Sequence, residues 1–159
     1  MAMDRRGGGL MVLRICMGLF FFFEGIGKIR WFTNTSLLTT QLNAWVGAVP
    51  PTSWNARYLA AIAVPYANYF ARLVPLGELA SGLALVLGIW TPLFAGVAFL
   101  MALNFEFASG TLFTYAWLTN PYGLPVLGGT LALALGGTRL PWSMRGGASP
   151  RAAKAVRSS

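Results

Sequence analysis

Apolar residues in this chain come in long blocks, not in the alternation of a half-buried strand or the single stripe of a surface helix. The first block covers residues 10–32, and its middle, Met17 to Phe23, has no polar side chain. Two more follow at 69–90 and 92–109, joined by the tight sequence Gly88-Ile89-Trp90-Thr91-Pro92. A fourth, Gly-rich and rather short, runs over 122–138, with Pro125 near its start. Blocks of this length predict helices that cross a bilayer. Between the first two lies the longest polar connection, residues 33–54, with Asn34, Asn43, Pro50-Pro51 and the nearby Trp31, Trp45 and Trp54. Tryptophans at that density predict a segment lying at head-group level. Ser53 as a cap and the run Tyr58 to Ile62 predict a short helix that ends near Pro65.

The predicted fold is an all-α integral membrane protein, a bundle of four transmembrane helices with an interfacial loop and short helix between spans one and two. Residues 1–9 form a short N-terminal segment, 10–138 the membrane domain and 139–159 a basic, Gly/Ser/Ala-rich, poorly ordered tail. A signal peptide is the rival reading of the first block. The block is long, however, and Glu24 and Lys28 follow with no small-x-small cleavage site. Four spans put both termini on one side. Arg5, Arg6, Arg139, Arg145, Arg151, Lys154 and Arg157 place that side in the cytoplasm of a bacterial membrane, with Arg30 and Arg57 weakening the asymmetry without reversing it. Gly18 with Gly25, and Gly128-Gly129 with Ala132, are suited to close helix contacts.

Composition narrows the chemistry. The chain is 159 residues long and only 10% charged, against roughly 25% in soluble domains. Its net charge of +8 is explained by head groups and topology, and no nucleic-acid-binding motif is visible. There is no histidine and only one cysteine, Cys16. That excludes an intramolecular disulfide, a CxxC redox pair and imidazole ligation of haem or zinc. The scattered methionines read as packing residues, so no metal site is expected. Three of the four acidic residues, Glu24, Glu78 and Glu106, fall inside apolar blocks. A carboxylate there costs at least a few kcal/mol and is kept where it has a partner or a task.

Topology and helical phase arrange these groups. Spans one and three run outward and span two inward, so Glu24, Lys28, Glu78, Asn104 and Glu106 all fall in the outer half. Arg14 falls toward the cytoplasmic side, where its side chain can snorkel. Glu24 and Lys28 differ by about 40° and share a face. Asn104 and Glu106 differ by about 200°, so only one can point inward; Asn104 is taken as the inward group and Glu106 as interfacial. Two readings stand side by side. In one, Lys28 pairs with Glu24 or Glu78 and locks the bundle. In the other, spans one, two and three enclose a polar pocket that opens outward. One lysine cannot balance two buried carboxylates, so the surplus acid takes a proton or meets Arg72, Arg57, water or a ligand. The candidate pocket residues are Lys28, Glu78, Asn104, Glu24, Arg14 and Arg72; no catalytic residue is singled out.

These residues lie in segments that resemble the DoxX family, which includes the DoxD-type subunit of thiosulfate:quinone oxidoreductase. Leu13-Arg14-Ile15, Gly18-Leu19-Phe20-Phe21, Glu24-Gly25 and Lys28 look like the family's opening span. Leu76-Gly77-Glu78-Leu79 with Ser81 to Leu85 and Leu87-Gly88 is similar to its "GEL…GLaLllG" segment. Met101 to Asn104 is similar to the "M…N" of its third span. Thr91-Pro92 departs from the Thr-basic pair of many relatives. The resemblance covers residues 10–108 and implies four helices, with Arg14, Lys28, Glu78 and Asn104 at motif positions. It further implies a subunit of a membrane redox assembly with bound quinone as its candidate ligand and no intrinsic cofactor. Being short of redox centres of its own, such a subunit would act with other membrane proteins, as part of an oxidoreductase if it is catalytic at all. The alternatives are a purely structural subunit docked on a larger complex and a small proton-coupled transporter using Glu24, Lys28 and Glu78. The last is disfavoured by the lack of an inverted repeat.

Overall fold

A computed structural model of the chain describes residues 5–137, and every described element is helical. The order is α1 (Arg5–Gly27), a 3-10 turn (Ile29–Phe32), α2 (Ser36–Ala48), α3 (Trp54–Tyr58) running into a π turn (Leu59–Ala63), α4 (Ala67–Leu87), α5 (Thr91–Ser109), α6 (Tyr115–Thr119) and α7 (Leu124–Gly136). Three helices are long and apolar enough to cross a membrane: Gly7–Gly27, Ala67–Leu87 and Thr91–Ser109. At 1.5 Å per residue they are about 28–32 Å long, the thickness of a hydrocarbon core. Phe23, Leu76 and Leu100 are exposed on their outer faces, where lipid tails would cover them.

The fourth predicted span is shorter than expected. As described, α7 has 13 residues, about 20 Å. The end of that predicted span and the basic tail lie outside the described residues, as do residues 1–4 of the N-terminal segment.

Glycines set the central contact. A Cβ on Gly18 would meet Val86 and the carbonyl of Gly82, and one on Gly25 would meet Leu79. Numbers rise along α1 as they fall along α4, so the two helices are antiparallel. At Gly82 a Cβ would sit 2.4 Å from the backbone nitrogen of Phe22, so only hydrogen fits and the two backbones touch. The buried positions of α1 are Arg14, Gly18, Phe21 and Gly25, spaced 4, 3 and 4, which is one helix face. Gly129 also faces α1, through Met17 and Leu13, whereas a Cβ on Gly128 would meet nothing.

The turn between α4 and α5 follows from its residues. Gly88 ends α4 at φ 70°, and the Ile89 N–H donates to the Ala84 carbonyl at 2.8 Å. Trp90 also takes a left-handed conformation, φ 44°, and Pro92 opens α5, where its missing N–H costs nothing.

The predicted interfacial connection is more ordered than its polarity suggests. Leu38, Leu42 and Val49 are buried on Leu59, Ala63, Ala67, Ala71 and Ala108, with Trp45 against them. Residues 38, 42, 45 and 49 repeat at 4, 3 and 4. The segment is therefore a helix with one apolar face, packed over the first half of α4 and the end of α5. It forms a cap on one end of the bundle, the end where α1 and α5 finish and α4 and α7 begin.

Candidate functional site

Beneath this cap, α1, α4, α5 and α7 enclose a cavity of about 320 Å³. Its walls are aromatic: Phe20 and Phe21 from α1, Trp45 from α2, Phe105 from α5 and Tyr122 from the loop before α7. Its polar groups are Glu24, Lys28, Glu78, Glu106, Ser109, Thr111 and Asn120. All three intramembrane acids therefore share one space.

Lys28 is placed by the end of α1. Its N–H still bonds the carbonyls of Glu24 and Gly25 at 3.2 Å, so its side chain keeps the helical i,i+4 relation to Glu24. Lys28 Nζ donates to Glu24 Oε2 at 2.8 Å and to Glu78 Oε1 at 2.6 Å. It also lies 5.7 Å from the centroid of the Phe105 ring, within cation–π range. The other Glu78 oxygen, Oε2, is buried and has no partner among the described residues. Exposure grades along the pair of bridges: the side chains of Glu78, Lys28 and Glu24 are 5%, 20% and 31% exposed.

Glu106 is held separately. Gly110 ends α5 in the left-handed region, φ 76°, and folds residues 109–111 back over the last turn. The Thr111 hydroxyl donates to Glu106 Oε2. Its oxygen lies 2.8 Å from the Ser109 hydroxyl, which can therefore donate to Thr111. Across the cavity, Asn120 Oδ1 accepts the Tyr122 N–H at 2.9 Å, leaving the Asn120 amide group as a donor. Among the described residues no three carboxylates or thiolates are grouped as a metal-ligand set; the acids share the cavity without converging on one point.

Of the residues expected in a pocket, the structure brings together Lys28, Glu78 and Glu24, and the lysine bridges both acids at once. Three expectations are corrected, the first being the exchange of Asn104 and Glu106. Asn104 is exposed and faces away, its Oδ1 accepting the Tyr58 hydroxyl at 2.6 Å. Glu106, expected at the interface, is 7% exposed and lines the cavity. The phase was legible: measured from Ala95 at 100° per residue, Ala98, Ala102, Glu106 and Ser109 fall within about 60°, and Asn104 falls at about 180°. Small residues mark the side of α5 that meets its neighbours.

Arg72, the second correction, is exposed and, among the described residues, donates to the Asn68 carbonyl of its own helix at 3.4 Å. Arg57 stacks over Trp54, 5.3 Å from its ring centroid, and takes no part in the cavity. The third is Arg14, which does not snorkel to the surface but is 1% exposed. It stands 14 positions before Lys28, about 21 Å along α1, and does not line the cavity. Sequence reasoning missed Trp45, Phe105, Tyr122, Thr111 and Asn120. The loop residues carried no periodic signal, and their place comes from the fold-back at Gly110 and the anchoring of buried Trp117.

A sequence model of the DoxX family matches residues 9–109, from α1 to the end of α5. That match takes in Glu24, Lys28, Glu78 and Glu106 and leaves out Thr111, Asn120 and Tyr122. No curated protein and no solved structure matches the chain.

Proposed function

Because the chain belongs to the DoxX family of membrane proteins, we propose that it is a subunit of a quinone-linked redox assembly and that its cavity receives a quinone headgroup. The observation that carries this reading is the pairing of aromatic walls with a bridged Lys28 and an orphaned carboxylate oxygen in one space of headgroup size. Phe20, Phe105 and Tyr122 offer ring faces and edges to a flat ligand. Lys28, Tyr122 and Asn120 offer donors to its oxygens. Bound quinone would supply two-electron, two-proton chemistry. The chain's residues would orient it, keep lipid off its polar edge and hold protons near it. Glu78, Lys28 and Glu24, in contact and increasingly exposed, form a path for protons between the cavity and the surface. Electrons would come from a partner subunit.

The test is direct binding. Purified protein in nanodiscs, titrated with duroquinone by calorimetry, is expected to show saturable heat beyond partition into empty nanodiscs. Heat equal to that of empty nanodiscs would overturn the reading.

A structural role on a larger complex is favoured by one observation. Phe113 and Tyr115, each 80% exposed, project from the loop beside the cavity. Co-purification from native membranes separates the two readings. A chain that binds no quinone yet migrates with a larger membrane complex is a structural subunit.

A further inference from the structure

The hydrogen-bond inventory of the cavity is one-sided. Three carboxylates line it, each with two oxygens and about four lone-pair sites. Against them stands one lysine, and two of its three protons are spent on Glu24 and Glu78. The Thr111 hydroxyl is spent on Glu106. The Ser109 hydroxyl donates to the Glu106 carbonyl at 3.2 Å, so the donors left to a ligand are the third Lys28 proton, the Asn120 amide, the Tyr122 hydroxyl and the Trp45 indole N–H. Acceptors remain on all three acids, and the Glu78 oxygen without a partner is buried.

An oxidised quinone brings two carbonyls, which only accept. They must compete for those few donors, and any lone pair turned instead to a carboxylate oxygen meets repulsion that is poorly screened inside a protein. The reduced diol brings two O–H donors. A hydroxyl on a carboxylate makes a short, charge-assisted bond, roughly twice as strong as a neutral one. It would also satisfy a buried oxygen that otherwise bears its full desolvation cost. The terminal torsion of a glutamate is soft, so the carboxylate can turn an oxygen to the ligand. From this surplus of acceptors we infer that the cavity selects the reduced, dihydroxy form of the headgroup over the dione, with Glu78 as the residue that sets the preference. The inference rests on the quinone reading above and adds its redox form.

The experiment compares three ligands with one ring under anaerobic calorimetry: duroquinone, durohydroquinone and the dimethyl ether of durohydroquinone. The protein is the full chain in nanodiscs. The diol is expected to bind about tenfold more tightly than the dione, and the ether, which has no donor, no better than the dione. A tenfold preference also raises the midpoint potential of the bound couple by about 30 mV, which an electrochemical titration reads independently. Glu78→Gln is expected to reduce the preference to about threefold or less while dione binding persists. If that variant does not yield folded protein, Glu106→Gln serves, with a smaller loss of preference. Equal affinity for dione and diol, or tighter binding of the dione, overturns the inference and leaves the quinone site standing. Binding of none of the three overturns the quinone reading itself. A preference unchanged in both variants overturns the role of the acids.

Discussion

Lys28 Nζ and Glu78 Oε1 lie 2.6 Å apart across fifty positions of sequence. The contact ties the end of α1 to the middle of α4. Because Lys28 holds Glu24 as well, at 2.8 Å, removing the ammonium would leave two carboxylates facing each other.

Lys28→Met is therefore expected to destabilise the bundle. Breaking a buried pair costs roughly 3–5 kcal/mol. Lys28 and Glu24 keep partial exposure, so about 2–3 kcal/mol is expected here. Adding Glu78→Gln should recover part of the loss, since the stranded charge goes with it. Thermal unfolding of the single and double variants in detergent measures both, and the double-mutant cycle isolates the pair. A double variant less stable than Lys28→Met alone would show that Glu78 is held by something other than the lysine.

The antiparallel contact of α1 and α4 makes a second prediction. Gly82→Ala places a methyl group 2.4 Å from the Phe22 nitrogen, and the opposing atom is backbone, which cannot swing aside. Overpacking of this kind costs about 1–3 kcal/mol. Gly128→Ala, whose Cβ would meet nothing, is the control. There the helix propensity of alanine should give a gain of up to about 1 kcal/mol. Equal melting temperatures for the two variants would mean that the helices do not touch at Gly82.

Much of this fold could be read from the chain, because a bilayer leaves few choices. The three long apolar blocks became α1, α4 and α5, and Gly18, Gly25 and Lys28 fell on the faces that phase assigned them. What was not legible came from two sources. Leu38, Leu42, Trp45 and Val49 repeat as one helix face, but Thr39, Thr40, Gln41 and Asn43 between them made the segment read as a polar loop. The cost of charge places Glu106 at the interface, with Asn104 inward, because an acid is cheapest to keep ionised there. Cost alone does not set orientation: the alanines at 95, 98 and 102 do, and they carry Glu106 inward. Thr111, Asn120 and Tyr122 reach the cavity only through the fold of their loop, which no periodicity encodes.

The exchange of Asn104 for Glu106 is itself testable. Asn104→Ala removes the hydrogen bond from Tyr58, at a cost of about 0.5–1.5 kcal/mol, and should leave duroquinone affinity unchanged, since Asn104 faces away from the main cavity. Glu106→Gln keeps the side chain's shape and removes a charge from the cavity wall. It should change duroquinone affinity by about threefold or more. The reverse pattern, with affinity sensitive to Asn104 and indifferent to Glu106, would place the ligand on the other side of α5.

The last prediction concerns which way the cavity faces. The arginines at the start of α1 and in the C-terminal tail favour the cytoplasm. With α1 then running outward, the cap of α2 and α3 and the cavity under it lie on the outer side, and the turn between α4 and α5 on the inner side. In a Cys16→Ala background, Thr52→Cys, in the exposed connection between α2 and α3, should react in intact cells with a maleimide that cannot cross the membrane. Ile89→Cys, at the opposite end of α4, should react only after permeabilisation. The opposite pattern would invert the protein and place the acid-lined cavity on the cytoplasmic side. Glu24 would then exchange protons with the cytoplasm. Reaction of both cysteines in intact cells would mean that α4 does not span the membrane. Labelling at 52 alone fixes the cavity outside, so that the two protons taken up when a bound quinone receives two electrons from a partner subunit would be drawn from the outer side through Glu24, Lys28 and Glu78.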